Sequence, residues 1–398
     1  MDQRREFVLA HLRGDRTMAE LCRSFGVSRK TGYKWVNRFF ESGLPGLADL
    51  SRAPVRRPHA LDEAAAEAIV ALRKEHPTWG PKKLLAYLST KDPEVQWPAQ
   101  STVGALLKRR GLVKPRRRRP RTPRSSQPLA AATEPNVVWC TDYKGKFRVG
   151  RHYCNPLTIS DAHSRFLLEC KRTDGERFEP VQRAFEHAFH EYGLPLRIRS
   201  DNGSPFASKA VGGLSRLSVW WIKLGILPER IEPGHPEQNG RHERMHRTLK
   251  LETASPPLST FEAQQEAFDR FRECYNHERP HEALGQITPG SLYRPSSRPM
   301  PKTIGDPEYP PEFEVRRVKQ NGTIVLKTNA LMTSSVLRGE AVGVEEIGED
   351  RWQLWFGPVY LGLVYHKDRT GKPIVVKNFP VGRKENSTRG SGPTHVGV

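Results

Sequence analysis

The chain has 398 residues, 36% hydrophobic and 27% charged, and its 65 Lys+Arg outweigh 44 Asp+Glu by +21. A charge so far from zero points to a polyanion, and to nucleic acid before membrane, because no basic helix with a bulky apolar face stands out. No apolar run approaches the ~20 residues of a membrane span, "MDQRREFVLA" has no signal-peptide core, and five cysteines without CxxC spacing argue for a reducing cytoplasm with no disulfide framework and no structural zinc.

Residues 1–127 hold 27 Lys+Arg against 12 Asp+Glu, so +15 of the +21 lies in the front third. Residues 1–58 read as a helix-turn-helix domain. "RREFVLAHLR" is a first helix, and "TMAELCRSFGVSRKTGYKWVNRFF" adds a short helix, a turn at Gly26-Val27, a Ser28 N-cap and a second helix. That last helix presents Arg29, Lys30, Tyr33 and Lys34 as candidate DNA contacts. Residues 59–113 repeat the theme with "LDEAAAEAIVALRKEH", "WGPKKLLAYLS" and "AQSTVGALLKRRGLV". The last of these is capped near Ser101 or Thr102 and ends in Lys108 and Arg109, further DNA-contact candidates. Residues 114–135, rich in Pro and Arg, read as a linker, with Arg116, Arg117, Arg118 and Arg119 as a strap for phosphates.

From 136 the pattern changes. "VVWCTDY", "HYCNPLTISDAHSRFLLECK" and "LPLRIRSD" are strand-like, and helical runs cover 178–192, 213–224, 238–252 and 261–277. The alternation predicts a mixed α/β sheet over 136–298. Residues 299–381 carry strand-like stretches from 313 to 366 and predict a small antiparallel barrel or sandwich. Residues 382–398 read as a disordered tail.

Open sheets place their ligands at strand carboxyl ends. Asp142 lies within or at the end of the first strand, and Asp201 follows "LRIRS" into the turn "DNGSPF", so both can reach one crevice. Glu243 sits inside the helix after a Gly-Pro loop. It shares a face with Arg247 and Lys250, at i, i+4 and i+7, while Met245 and Leu249 lie on another face and can anchor the helix. Three carboxylates on separate elements can share two Mg²⁺ ions, the arrangement that activates one oxygen and stabilises another in phosphodiester cleavage. Asp161 reads as a turn cap bonded to Ser164 or Arg165. Trp139, Trp220 and Trp221 read as core. Cys140 reads as buried packing turned away from the groups around Asp142.

At "WCTDYKGKF", "SDAHSRFLL", "RSDNGSPF", "GHPEQNGRHERMHRTLKLE" and "YNHERPHEALGQITPGSLY" the chain resembles the bacterial insertion-sequence transposases of the DDE class, whose catalytic core is like that of retroviral integrases. The pieces run in the family's order, with 58 residues between Asp142 and Asp201 and 41 between Asp201 and Glu243. The resemblance implies a multidomain protein with helix-turn-helix units and an α/β ribonuclease H-like core. It implies Asp142, Asp201 and Glu243 as the metal-binding catalytic triad for two Mg²⁺ ions, with Mn²⁺ able to substitute. It also implies Mg²⁺-dependent cleavage and strand transfer on duplex DNA, both element ends and target, by a homo-oligomer of at least two subunits, cytoplasmic and nucleoid-associated. Lys250 takes the place of the family's basic residue seven positions past the Glu. The second spacing exceeds the family's usual one, with the surplus expected in "VGGLSRLSVWWIKLG". Glu237 is the rival third ligand, and the family's Asn-Gly-x-x pattern favours Glu243. Two alternatives fit parts of the chain: a nuclease for RNA–DNA hybrids on the same core, and a DNA-binding regulator without catalysis.

Overall fold

The computed structural model describes residues 2–49, 61–113, 129–173, 175–208, 211–232, 240–326, 329–348 and 351–365. Arg116–Arg119 with most of the linker, Glu237 and the tail at 382–398 lie outside the described residues. The chain divides into two compact units, Met1–Asp62 and Glu63–Val398.

The first unit packs α1 (Asp2–Arg13), α2 (Met18–Ser24) and α3 (Arg29–Ser42) around Phe7, Val8, Leu21, Cys22, Val36 and Leu47. Local chemistry sets the helix starts. Thr17 and Glu20 form a reciprocal capping box on α2, and the Ser28 hydroxyl accepts from Thr31 N at the start of α3. The turn between them passes through Gly26 at φ +64°, a left-handed conformation that suits glycine. Gly32 lets the helices close together: a Cβ there would stand 2.8 Å from both Cys22 Sγ and the Phe7 ring.

The second unit begins with α4 (Glu63–Glu75), α5 (Pro81–Lys91) and α6 (Gln100–Arg109), which bury Ile69, Trp79, Leu84, Val103 and Leu107. Ala99 is the N-cap of α6, so Ser101 and Thr102 lie within its first turn rather than capping it. A six-stranded mixed sheet follows. It comprises β1 (Val138–Tyr143), β2 (Phe147–Val149), β3 (His152–Asp161), β4 (Leu167–Thr173), β5 (Arg197–Ser200) and β6 (Leu227–Arg230). The order is β2-β3-β1-β5-β6, with β4 also paired to β3; β1 runs antiparallel to β3 and parallel to β5. Helices α7 (Phe178–Tyr192) and α8 (Arg216–Lys223) bury Phe185, Phe189, Leu217 and Trp221 against Trp139, Ile159 and Ile198 of the sheet. Helices α9 (Gly240–Thr253) and α10 (Phe261–Glu273) enclose a separate apolar cluster, Met245, Leu249, Phe268 and Phe271 against Val149, Cys154, Leu167 and Cys170. Residues 274–278 then form a wider, π-helical turn, and α11 (Pro289–Leu292) follows.

The helices α4–α6 meet this core through a charged seam. Arg279 donates to Glu252 (2.9 Å) and to Thr78 (3.2 Å), Lys82 pairs with Glu282 (2.8 Å), and Lys83 donates to the Pro280 carbonyl.

At the carboxyl end are β7 (Glu314–Arg317), β8 (Thr323–Leu326), β9 (Asn329–Met332), β10 (Ala341–Gly348), β11 (Arg351–Phe356) and β12 (Val359–Tyr365). They form an open four-stranded antiparallel sheet, β12-β11-β10-β7, and a β8-β9 ribbon. Among the described strands no sheet closes into a barrel. These strands share one apolar cluster with Leu214, Val219 and Ile222, the last two from α8.

Candidate active site

Strands β1 and β5 are neighbours and parallel, with Cys140 opposite Arg199. Two residues further along each strand stand Asp142 and Asp201, side by side at the carboxyl edge of the sheet, where adjacent strands are ~4.8 Å apart. Backbone amides aim both carboxylates. Tyr143 N–H donates to Asp142 (2.8 Å), and Gly203 N–H, in the turn after β5, donates to Asp201 (3.1 Å).

Glu243 comes from α9, one turn from its start. The face carrying Met245 and Leu249 packs into the core, and this leaves Glu243, Arg247 and Lys250 exposed. Glu243, His246, Arg247 and Lys250 line an open cleft with Lys144, Gly240 and Arg244. Basic side chains therefore surround Glu243 in this cleft.

The electrostatics tie the three acids together. Asp142 is pushed up to about 7, first by burial, then by the charges of Asp201 and Glu243, against the Tyr143 amide and Lys144. Asp201 is also raised, by burial and by Glu176, against the Gly203 amide. Aspartates that resist ionisation first because they are buried and then because other carboxylates stand near would gain from positive charge placed beside them. Their donors are all oxygen, the preference of Mg²⁺ and Mn²⁺, so the residues fit a divalent cation. Their donor atoms do not all fall within 4.8 Å of one another, whereas two other groups do: His76, Cys274 and Glu278, and Glu169, His187 and Glu191. Glu243 is the exposed member of the three.

Sequence reasoning missed several groups here. His242 and His246 are 3% and 6% exposed. Both ring Nε2 atoms bond to Thr158 Oγ1, at 2.6 and 2.7 Å. Their i, i+4 spacing in "RHERMHR" was the available signal, but a basic run hides it. Lys144 and Glu176 were also overlooked. Cys140 needs a correction. Residues two apart on a strand share a face, so Cys140 lies on the Asp142 side of β1, is partly exposed, and neighbours Arg199 and Glu229. Asp161 does cap its turn, accepting from Ser164 N (2.7 Å) and Oγ (2.6 Å). Trp139 and Trp221 are fully buried, and Trp220 packs partly buried against the same core.

The remaining candidates lie on other elements. Arg29, Lys30, Tyr33 and Lys34 are exposed on α3, and Lys108 and Arg109 are exposed at the end of α6. The next residue, Arg110, is instead paired with Glu63 and Glu67.

Two integrase core domain families match this chain, one over residues 132–236 and one over 224–289. A helix-turn-helix domain family matches 3–55, and a homeodomain-like family 31–107. An uncharacterized 39.2 kDa protein of insertion element IS476 from Xanthomonas euvesicatoria is 28% identical over 251 residues, covering 62% of this chain and 70% of that protein. An uncharacterized 31.7 kDa protein of insertion element IS407 from Burkholderia multivorans is 26% identical over 251 residues, 62% of this chain and 87% of that one. These matches support an insertion-element transposase with an integrase-like core. In this transposase the two core matches together contain Asp142, Asp201 and Glu243. Among solved structures, the magnesium-bound catalytic core domain of HTLV-2 integrase aligns with 40% of the transposase and 96% of its own chain, at 18% identity and TM-score 0.30, an overlay too loose to carry an argument. No helix among the described residues is long and apolar enough to cross a membrane.

Proposed function

We propose that this chain binds the duplex ends of its insertion element and catalyses their metal-dependent cleavage and joining to target DNA. The observation that carries the reading is the meeting of Asp142 and Asp201 at the ends of adjacent parallel strands, within electrostatic reach of Glu243. Asp142, Asp201 and Glu243 would hold two Mg²⁺ ions, or Mn²⁺, on a ribonuclease H-like core. When bound, such ions activate an attacking oxygen and stabilise the leaving oxygen of a phosphodiester.

The protein's own groups do the rest. The Tyr143 and Gly203 amides hold the two aspartates in place. Arg247, Lys250 and Lys144, which line the cleft with Glu243, attract the phosphate backbone, which the acids alone would repel. Arg29, Lys30, Tyr33 and Lys34, with Lys108, Arg109 and Arg116–Arg119, supply binding to element ends. Joining two ends requires two such sites held together, so the working form is at least a dimer.

The test uses purified full-length protein, duplex DNA carrying the flanks of its own gene, and Mg²⁺. Wild type should nick the ends, Glu243→Gln should not, and Glu237→Gln should. If Glu243→Gln nicks normally while Glu237→Gln is inert, the third ligand is Glu237. Preference for an RNA–DNA hybrid would make the chain a nuclease on the same core, and binding without cleavage would make it a regulator.

A further inference from the structure

Thr158, on β3, is buried opposite Asp142 of β1 and against α9, which carries Glu243. Its hydroxyl donates to the Asp142 carbonyl (3.1 Å). A hydroxyl has one proton and two lone pairs, so the two histidine contacts at 2.6 and 2.7 Å must both be donated to it, from Nε2–H of His242 and Nε2–H of His246. The hydroxyl is then saturated and each ring carries its proton on Nε2. His242 Nδ1 is left to accept from Ser160 Oγ (3.3 Å), and His246 Nδ1 stands 3.8 Å from Asp142 Oδ2. The rings meet edge to face, with centroids 4.6 Å apart. Apolar contacts alone would let α9 slide or rotate on the sheet. A three-way hydrogen-bond node is directional and allows one register.

We propose that Thr158, His242 and His246 are positioning residues that lock α9 onto β1 and β3 and so set the distance between Glu243 and Asp142. This rests on the reading of those acids as metal ligands. The node touches both partners: Thr158 holds the backbone of Asp142, and the two histidines flank Glu243 on the inner face of its helix. His246 contributes no N–H to Asp142, because its proton is engaged by Thr158. The node is buried, away from the exposed face that would meet DNA, so it acts through the acids it holds.

The experiment compares Thr158→Val, which keeps the shape and loses the hydroxyl, with Thr158→Ser, which keeps the hydroxyl. Mn²⁺ binding to the full-length, metal-depleted protein is read by electron paramagnetic resonance, with melting temperature and binding to duplex ends alongside. Thr158→Val should stay folded and bind DNA ends as wild type does, yet weaken Mn²⁺ binding by about 10–100-fold, the range found when groups that orient metal ligands are removed. Thr158→Ser should restore most of the affinity. Unchanged Mn²⁺ affinity in folded Thr158→Val overturns the inference, and so does equal weakening in Thr158→Ser. If Thr158→Val does not fold, His246→Gln and His246→Leu carry the same contrast, since only Gln retains a donor near Nε2; equal affinities there overturn it as well. Should wild type bind no Mn²⁺, the metal reading falls and the inference with it. Wild-type binding that is lost in Asp142→Asn but kept in Thr158→Val removes the inference alone.

Discussion

On α3 of the N-terminal unit, Arg29, Lys30 and Lys34 extend from an exposed face, while the packing is done elsewhere by Phe7, Leu21 and Val36. At the carboxyl edge of β1 and β5, Asp142 and Asp201 are drawn into the protein beside one another, and burial raises both. The first region keeps its charges in water, where each is screened and their effect grows with number. The second holds a few charges where solvation is poor, and each one alters its neighbours. Removing a charge should therefore weaken grip in the first region and abolish chemistry in the second.

The largest expected effect follows from that contrast. Asp142→Asn or Asp201→Asn should lower end cleavage by on the order of 10³-fold or more, about 4 kcal/mol in barrier, while a mobility-shift assay finds end binding nearly unchanged. A parallel loss of binding and cleavage would erase the distinction between the regions. Replacing Arg29, Lys30 and Lys34 together by Ala should do the reverse. Binding should weaken and lose up to about 3 from its log–log salt slope, at roughly 0.9 per phosphate contact, and cleavage at saturating DNA should persist. An unchanged slope would mean that α3 does not lie on phosphate. Lys250→Ala sits between the two cases: end joining should fall by roughly tenfold, the loss of one charge-assisted contact, with Mn²⁺ still bound.

The smallest effect is on stability. Asp142 is raised from 3.8 to about 7, so between those values the metal-free native state binds more protons than the unfolded chain. Stability then falls as pH rises through that window, and the cost is fully present above pH 7. Asp142→Asn removes it. In chelator, the variant should melt higher than wild type at pH 8 and about equally at pH 4. The difference between the two proteins isolates this group from His242, which burial moves the opposite way, down to about 3. No gain at pH 8 would show that Asp142 is better solvated than its surroundings suggest.

How far the sequence revealed this arrangement depended on what each residue had to declare. Strand β1 is a largely apolar run that reaches Asp142 near its end, and β5 alternates as "RIRS" immediately before Asp201, so their edges and acids could be read directly. Strand β6 was missed because "LPER" carries Pro228 and no apolar alternation; it is an edge strand paired only to β5, where proline is tolerated. Strand β2 has three residues, too few for a period. The outward face of α9 was visible in the spacing of Glu243, Arg247 and Lys250, and its anchor in Met245 and Leu249. Its histidine face was not, because a buried polar group is recognised by its partner, and Thr158 lies more than eighty residues away in an apolar strand. The open carboxyl-terminal sheet escaped for a related reason: β7 pairs with β10 rather than with β8, the next strand in sequence.

Helix α9 also reaches the seam with α4–α6. Glu243 stands in its first turn, and Glu252, near its last, receives Arg279 and Thr78 in the seam with α4–α6. Nine residues at 1.5 Å each separate them by about 13 Å along the axis. A rod of that length acts as a lever. A tilt of about 5° imposed where α4–α6 bear on one end swings the other by about 1 Å, comparable to the misplacement that costs enzymes much of their rate. Helix α9 thus carries Glu243, the proposed third metal ligand, and the docking Glu252 on one stiff member, and whatever loads the seam is felt at Glu243.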